Sequence, residues 1–100
     1  MKRKTVTLCG SMRFQDRIWE IAEHLELERG FVVLGIIPYV LNRNLTEREK
    51  ALLGELHRAK IALSDAIFVV NVNGYIGESV RREIEYALSL GKEIMYLENN

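Results

Sequence analysis

A glycine, a hydroxyl and a guanidinium stand together in Gly10-Ser11-Met12-Arg13, directly after the β-branched and apolar run Thr5-Val6-Thr7-Leu8-Cys9. Such a turn can hold an anion. Gly10 lets a ligand approach the backbone, Ser11 and Arg13 supply hydrogen bonds, and the free amides of a following helix add partial positive charge. The same residues equally suit a plain turn in which Ser11 caps a helix. Neither a Gly-x-Gly-x-x-Gly fingerprint nor a Gly-Lys-Ser/Thr loop is present here, so the turn does not point to NAD or ATP. A second polar, glycine-punctuated segment runs Asn71-Val72-Asn73-Gly74-Tyr75-Ile76-Gly77-Glu78-Ser79. Asn71, Gly77 and Ser79 are its candidate ligand contacts, and Tyr75 offers a ring on which a base can stack. With Ser79 taken as a helix cap, Glu83 falls in the first turn, at the edge of an apolar stripe. By position alone that carboxylate suits a structural role as well as a catalytic one. Glu78, Arg81, Arg82 and Glu85 are spaced for ordinary helical ion pairs on a solvated face.

His57 borders the stripe Leu52, Leu56, Ala59 and Leu63 of another helix, where a lone histidine packs more often than it reacts. Counted along the helix it sits roughly 12 Å above the bottom of a sheet whose six-residue strands would reach about 20 Å, so it is expected to fall short of the strand ends. His24, between Glu23 and Glu26, reads as an exposed helix residue. Cys9 is the only cysteine, which leaves no internal disulfide and no Cys-rich zinc site, as in a reducing compartment. Histidines and carboxylates show no metal-ligand spacing, so neither a metal nor a cofactor is expected.

The elements that must position these residues follow from periodicity. Residues 5–9 read as a buried strand, and Phe14, Ile18, Ile21, Ala22 and Leu25 repeat at helical spacing until Gly30. Residues 31–37 form a second apolar run, followed by Pro38. Thr46-Glu47-Arg48-Glu49 is a capping box that opens helix two. Residues 66–70 give a third strand; Val80, Ile84, Ala87 and Leu88 a third helix stopped by Gly91; residues 94–97 a fourth strand. Strict alternation with near-continuous apolar strands predicts an α/β, flavodoxin/Rossmann-like three-layer sandwich: a four-stranded parallel sheet of order 2-1-3-4 with three helices. In that order the winding reverses between strands one and three, and a ligand crevice is expected beyond their carboxyl ends. The segments after those two strands are the ones singled out above.

Composition bounds the rest. One hundred residues at 48% hydrophobic content fit one domain over residues 1–100. Basic and acidic residues number 14 each, so the field that accompanies binding to a nucleic-acid polymer is missing. The apolar stretch after the basic N-terminus is broken too soon for a signal peptide or a membrane span, and a cytoplasmic location is expected.

Taken together, these segments resemble the nucleoside 2-deoxyribosyltransferase-like superfamily, which includes the deoxynucleoside 5′-monophosphate N-glycosidases. Thr7-Leu8-Cys9-Gly10-Ser11-Met12-Arg13 is similar to the first strand and phosphate-side loop of the glycosidase branch. Glu83-Ile84-Glu85-Tyr86-Ala87-Leu88-Ser89-Leu90-Gly91-Lys92 resembles the helix that carries the family's nucleophilic glutamate. The resemblance implies Glu83 as nucleophile, Gly10, Ser11 and Arg13 as phosphate contacts, and a nucleoside or nucleotide as ligand. It further implies a homo-oligomer, a transferase or hydrolase activity and no cofactor. His57 stands where the family has a second carboxylate, which makes it a candidate catalytic acid–base residue beside Glu83, and Ser79 and Arg81 stand where the family has glycines. Those departures keep open a non-catalytic nucleotide-binding or sensor module of the same fold.

Overall fold

A computed structural model describes residues 2–35 and 44–99. Four parallel strands, β1 (Thr5–Cys9), β2 (Val32–Leu34), β3 (Ala66–Val69) and β4 (Glu93–Tyr96), form one sheet in the order β2-β1-β3-β4. Helices α1 (Gln15–Leu27), α2 (Glu47–Leu63) and α3 (Glu78–Ser89) connect them. The expected fold class and strand order are those observed. The second strand is shorter than its apolar run, and positions 36 to 38 of that stretch lie outside the described residues.

Burial follows strand position. β3 is buried throughout and β1 from Val6 onward, whereas β2 and β4, at the edges, are half-buried to exposed. Alternate side chains of the central strands point to opposite faces. Val6, Leu8, Ala66, Phe68 and Val70 pack against Ile18, Ile21 and Leu25 of α1. Cys9, Ile67 and Val69 pack on the other face with Ile61 of α2 and Val80 and Ala87 of α3. One helix covers one face and two cover the other, giving the three layers.

Local signals act as the residue types dictate. Thr46 Oγ1 accepts from the Glu49 amide at 3.1 Å and Glu49 Oε1 accepts from the Thr46 amide at 2.9 Å, completing the capping box. Gly30, just past α1, adopts the left-handed φ of 66° that only glycine takes freely, and the chain turns there into β2. His24 is exposed, as expected.

Helix α2 departs from its expected orientation. The buried positions are His57 and Ile61, followed by Ser64, while Leu52, Leu56 and Leu63 are 52%, 45% and 77% exposed and Ala59 is exposed. Polar partners turn the helix. Thr7 Oγ1 donates to the Lys60 carbonyl at 3.0 Å, Ser64 Oγ donates to the same carbonyl at 2.8 Å, and Lys60 Nζ donates to the Gly35 carbonyl at 2.8 Å. A face that satisfies buried polar groups outranks a purely apolar stripe. The result carries His57 inward.

Candidate active site

Because β1 and β3 are neighbours at the reversal of winding, the segments leaving their carboxyl ends converge. Gly10 is where they touch: a Cβ there would lie 3.2 Å from Val70 Cβ and from Ile18 Cδ1, so only glycine fits without displacement. Ser11 caps a single 3₁₀ turn, Met12–Phe14, its Oγ accepting from the Arg13 amide at 3.3 Å; α1 itself begins at Gln15. Arg13 lays its guanidinium over the Tyr75 ring, 4.4 Å from the centroid, and Phe14 meets the same ring edge-on at 5.9 Å. The two segments are thus tied by a cation–π contact that keeps the Arg13 charge at the crevice. Gly77 lies beneath Tyr75, where a Cβ would come within 3.2 Å of the phenol oxygen. Asn71 is directed elsewhere. Its Nδ2 donates to the Glu98 carbonyl at 2.8 Å and its Oδ1 accepts from the Glu98 amide at 2.9 Å, fastening the chain after β4.

Ser79 is not the cap of α3. Gly77 holds that position in extended backbone, and the helix starts at Glu78, so Glu83 is its sixth residue and lies in the second turn, one turn after Ser79. There it meets His57. The imidazole Nε2 is 3.5 Å from Glu83 Oε1 and also 3.5 Å from the Cys9 Sγ. His57 therefore does reach the strand ends, contrary to the count along the helix. The reason is strand length: β3 has four residues, about 13 Å at the usual rise, so the strand ends sit near the height of the imidazole.

These three groups, from β1, α2 and α3, form a compact trio at the crevice. Glu83 Oε1 is buried with no hydrogen-bond partner among the described residues. At 3.5 Å the imidazole is a close polar neighbour of Oε1 rather than a well-formed N–H···O donor. Whether Nε2 donates to the Cys9 sulfur or accepts from it depends on the tautomer. The side chains of His57 and Glu83 are 11% and 21% exposed, and with Oε1 buried the exposure of Glu83 falls on the rest of its side chain. That remainder borders an open cleft of about 200 Å³ lined by Gly54, Arg58, Ser79, Arg82 and Glu83. Burial pushes the Cys9 thiol well above its ordinary pKa, and the Glu83 charge beside it adds to the shift. The thiol is therefore held protonated.

The structure thus brings His57 against Glu83, lines one cleft with Glu83 and Ser79, and gathers Gly10, Ser11, Arg13, Tyr75 and Gly77 in the loops that follow β1 and β3. Cys9, Gly54 and Arg58 had no part in the expected site. Cys9 was marked only by being the last residue of β1, immediately before the turn already singled out.

The fold is shared with a 2-desoxiribosyltransferase. That protein, from Leishmania mexicana, superposes with a TM-score of 0.67 at 17% identity over 97% of this chain. The chain spans 65% of the length of that relative. No family model and no curated protein matches the sequence. Among the described residues no helix is long and apolar enough to cross a membrane.

Proposed function

We propose that this chain cleaves the N-glycosidic bond of a nucleoside or nucleoside 5′-monophosphate, by hydrolysis or by deoxyribosyl transfer to another base. The observation that carries the reading is the Glu83 carboxylate, partly buried beside the His57 imidazole at the switch point of a fold shared with a 2-desoxiribosyltransferase. Glu83 attacks the anomeric carbon through an oxocarbenium-like transition state, and the bond to the base breaks with its electron pair passing to the departing ring nitrogen. His57 in its imidazolium form donates the Nε2 proton to the leaving base and becomes neutral; water or an incoming base then attacks the sugar carbon, gives a proton back to His57 and frees the Glu83 carboxylate. Tyr75 stacks on the base or sugar edge, and Arg13 with the Gly10-Ser11 turn takes the phosphate. No cofactor enters this chemistry. A cytoplasmic location and assembly of copies through the exposed apolar face of α2 go with the reading.

A second reading, a nucleotide-binding module without turnover, draws support from Ser79, which lines the cleft one turn before Glu83 where the resembling family has a glycine. One experiment separates them. The protein is incubated with a panel of deoxynucleosides and their 5′-monophosphates, and free base is measured by chromatography. Base release that is abolished in Glu83→Ala supports the enzyme; release unchanged in that variant overturns the nucleophile. Saturable nucleotide binding with no base release from any substrate favours the module.

A further inference from the structure

The geometry points to a zinc site made by Cys9 Sγ, His57 Nε2 and Glu83 Oε1. These three ligand atoms come from three different elements and lie within 4.8 Å of one another. Zinc bonds to thiolate at about 2.3 Å, to imidazole nitrogen at about 2.0–2.1 Å and to carboxylate oxygen at about 2.0–2.2 Å, so a tetrahedral ion sets its ligand atoms about 3.4–3.6 Å apart. The two separations centred on Nε2, to Sγ and to Oε1, are both 3.5 Å. The Nε2–Oε1 spacing is long for a hydrogen bond, the Nε2–Sγ spacing is an ordinary one for sulfur, and both match two ligands of one ion. Glu83 Oε1, buried and without a hydrogen-bond partner among the described residues, has a lone pair free for a cation.

The donor set selects the metal. One sulfur, one nitrogen and one oxygen suit Zn²⁺, whereas Mg²⁺ and Ca²⁺ require oxygen cages. Binding is also balanced in charge. As Zn²⁺ enters, the Cys9 thiol loses its proton to solvent, His57 binds through Nε2 as the neutral imidazole with its proton on Nδ1, and thiolate and carboxylate together offset the two charges of the ion. A buried centre with no net charge avoids the desolvation penalty that an isolated ion would meet. Entry is from the cleft beside Glu83, and a water completes the fourth position, as in zinc sites with three protein ligands. One consequence rests on the functional reading: bound zinc occupies both Nε2 and Oε1, the atoms that reaction requires, and so silences base release until a chelator removes it.

Zn²⁺ titrated into the chelator-treated full chain, followed by calorimetry, should show one ion per chain with release of a proton. Co²⁺ as a spectroscopic stand-in should give a near-ultraviolet thiolate-to-metal band, and Mg²⁺ should give no binding. Cys9→Ser should abolish the cobalt band. His57→Asn and Glu83→Gln should each weaken zinc by more than about 100-fold, beyond the 10- to 100-fold that changes outside the ligand shell cost. His24→Ala, which alters the exposed histidine of α1, should leave affinity unchanged. Circular dichroism confirms the fold of each variant, and His57→Asn and Glu83→Gln decide the question if Cys9→Ser does not fold. Absence of zinc binding, a cobalt spectrum without the thiolate band, or affinity that follows His24 would overturn the site. Because binding is read without substrate, its failure leaves the glycosidic reading standing, and base release by the metal-free protein, expected under that reading, tests it separately.

Discussion

Exchanging Glu83 for glutamine is expected to stabilise the fold while silencing the site. The carboxylate side chain is 21% exposed, yet its Oε1 is buried with no hydrogen-bond partner among the described residues. A buried polar atom left in that state costs about 1–3 kcal/mol. The imidazole 3.5 Å away returns part of this through electrostatic attraction, which solvent near the cleft screens. Glutamine keeps the shape, carries no charge to desolvate, and can turn its amide to donate toward Cys9 Sγ. The net gain should be about 1 kcal/mol, which for a domain of this size raises Tm by about 4–8 °C. Differential scanning calorimetry on wild type and Glu83→Gln reads this directly. The same pair measured in a His57→Ala background should show a larger gain, because the carboxylate then loses its attractive neighbour. A Tm lowered by several degrees in Glu83→Gln would refute the reasoning, since it would mean that the carboxylate holds the fold together instead of being held at a cost by it.

Other expectations follow from the remaining contacts. Arg13→Ala should weaken binding of a nucleoside 5′-monophosphate more than that of the matching nucleoside in calorimetric titrations; equal losses would remove the phosphate assignment. Leu56→Glu, on the exposed face of α2, should shift light scattering from a dimer or larger species to the 11.6 kDa chain, and a monomeric wild type at micromolar concentration would contradict self-association. The Asp65 carboxylate accepts from the Thr5 amide at 2.8 Å, and that bond, helped by Lys2, Lys92 and Lys4, holds its pKa below the ordinary value. Its contribution to stability is present above the unfolded-state pKa of about 3.9 and is lost as pH falls through the lower folded value. Asp65→Asn should therefore cost stability at neutral pH and lessen the decline in urea midpoint on acidification; parallel declines would contradict the assignment.

The sheet was legible because β1 and β3, buried on both faces, have to be written as continuous apolar runs, and because Thr46-Glu49 and Gly30 mark a helix start and a turn by mechanisms that act within a few residues. Strand order followed from the alternation together with right-handed crossovers. The rotation of α2 was not legible. It depends on hydrogen bonds from Thr7 to Lys60 and from Lys60 to Gly35, between residues far apart in the chain, which no count of hydrophobic positions contains. Cys9 stayed hidden for the same reason, since it meets His57 across 48 positions of sequence. Glu83 was legible by its place after the β3 segment, but its surroundings were not, because the helix start moved from Ser79 to Gly77 and its neighbour came from another helix.

Covalent trapping tests the central claim most directly. A 2-fluoro-2-deoxyribosyl nucleoside slows release of the sugar from the enzyme, so the intermediate accumulates, and peptide mapping by mass spectrometry locates it. The label should sit on Glu83 and be missing from Glu83→Gln; a label on any other residue, or free base produced by wild type with no covalent species under conditions that slow release, would contradict a glutamate nucleophile.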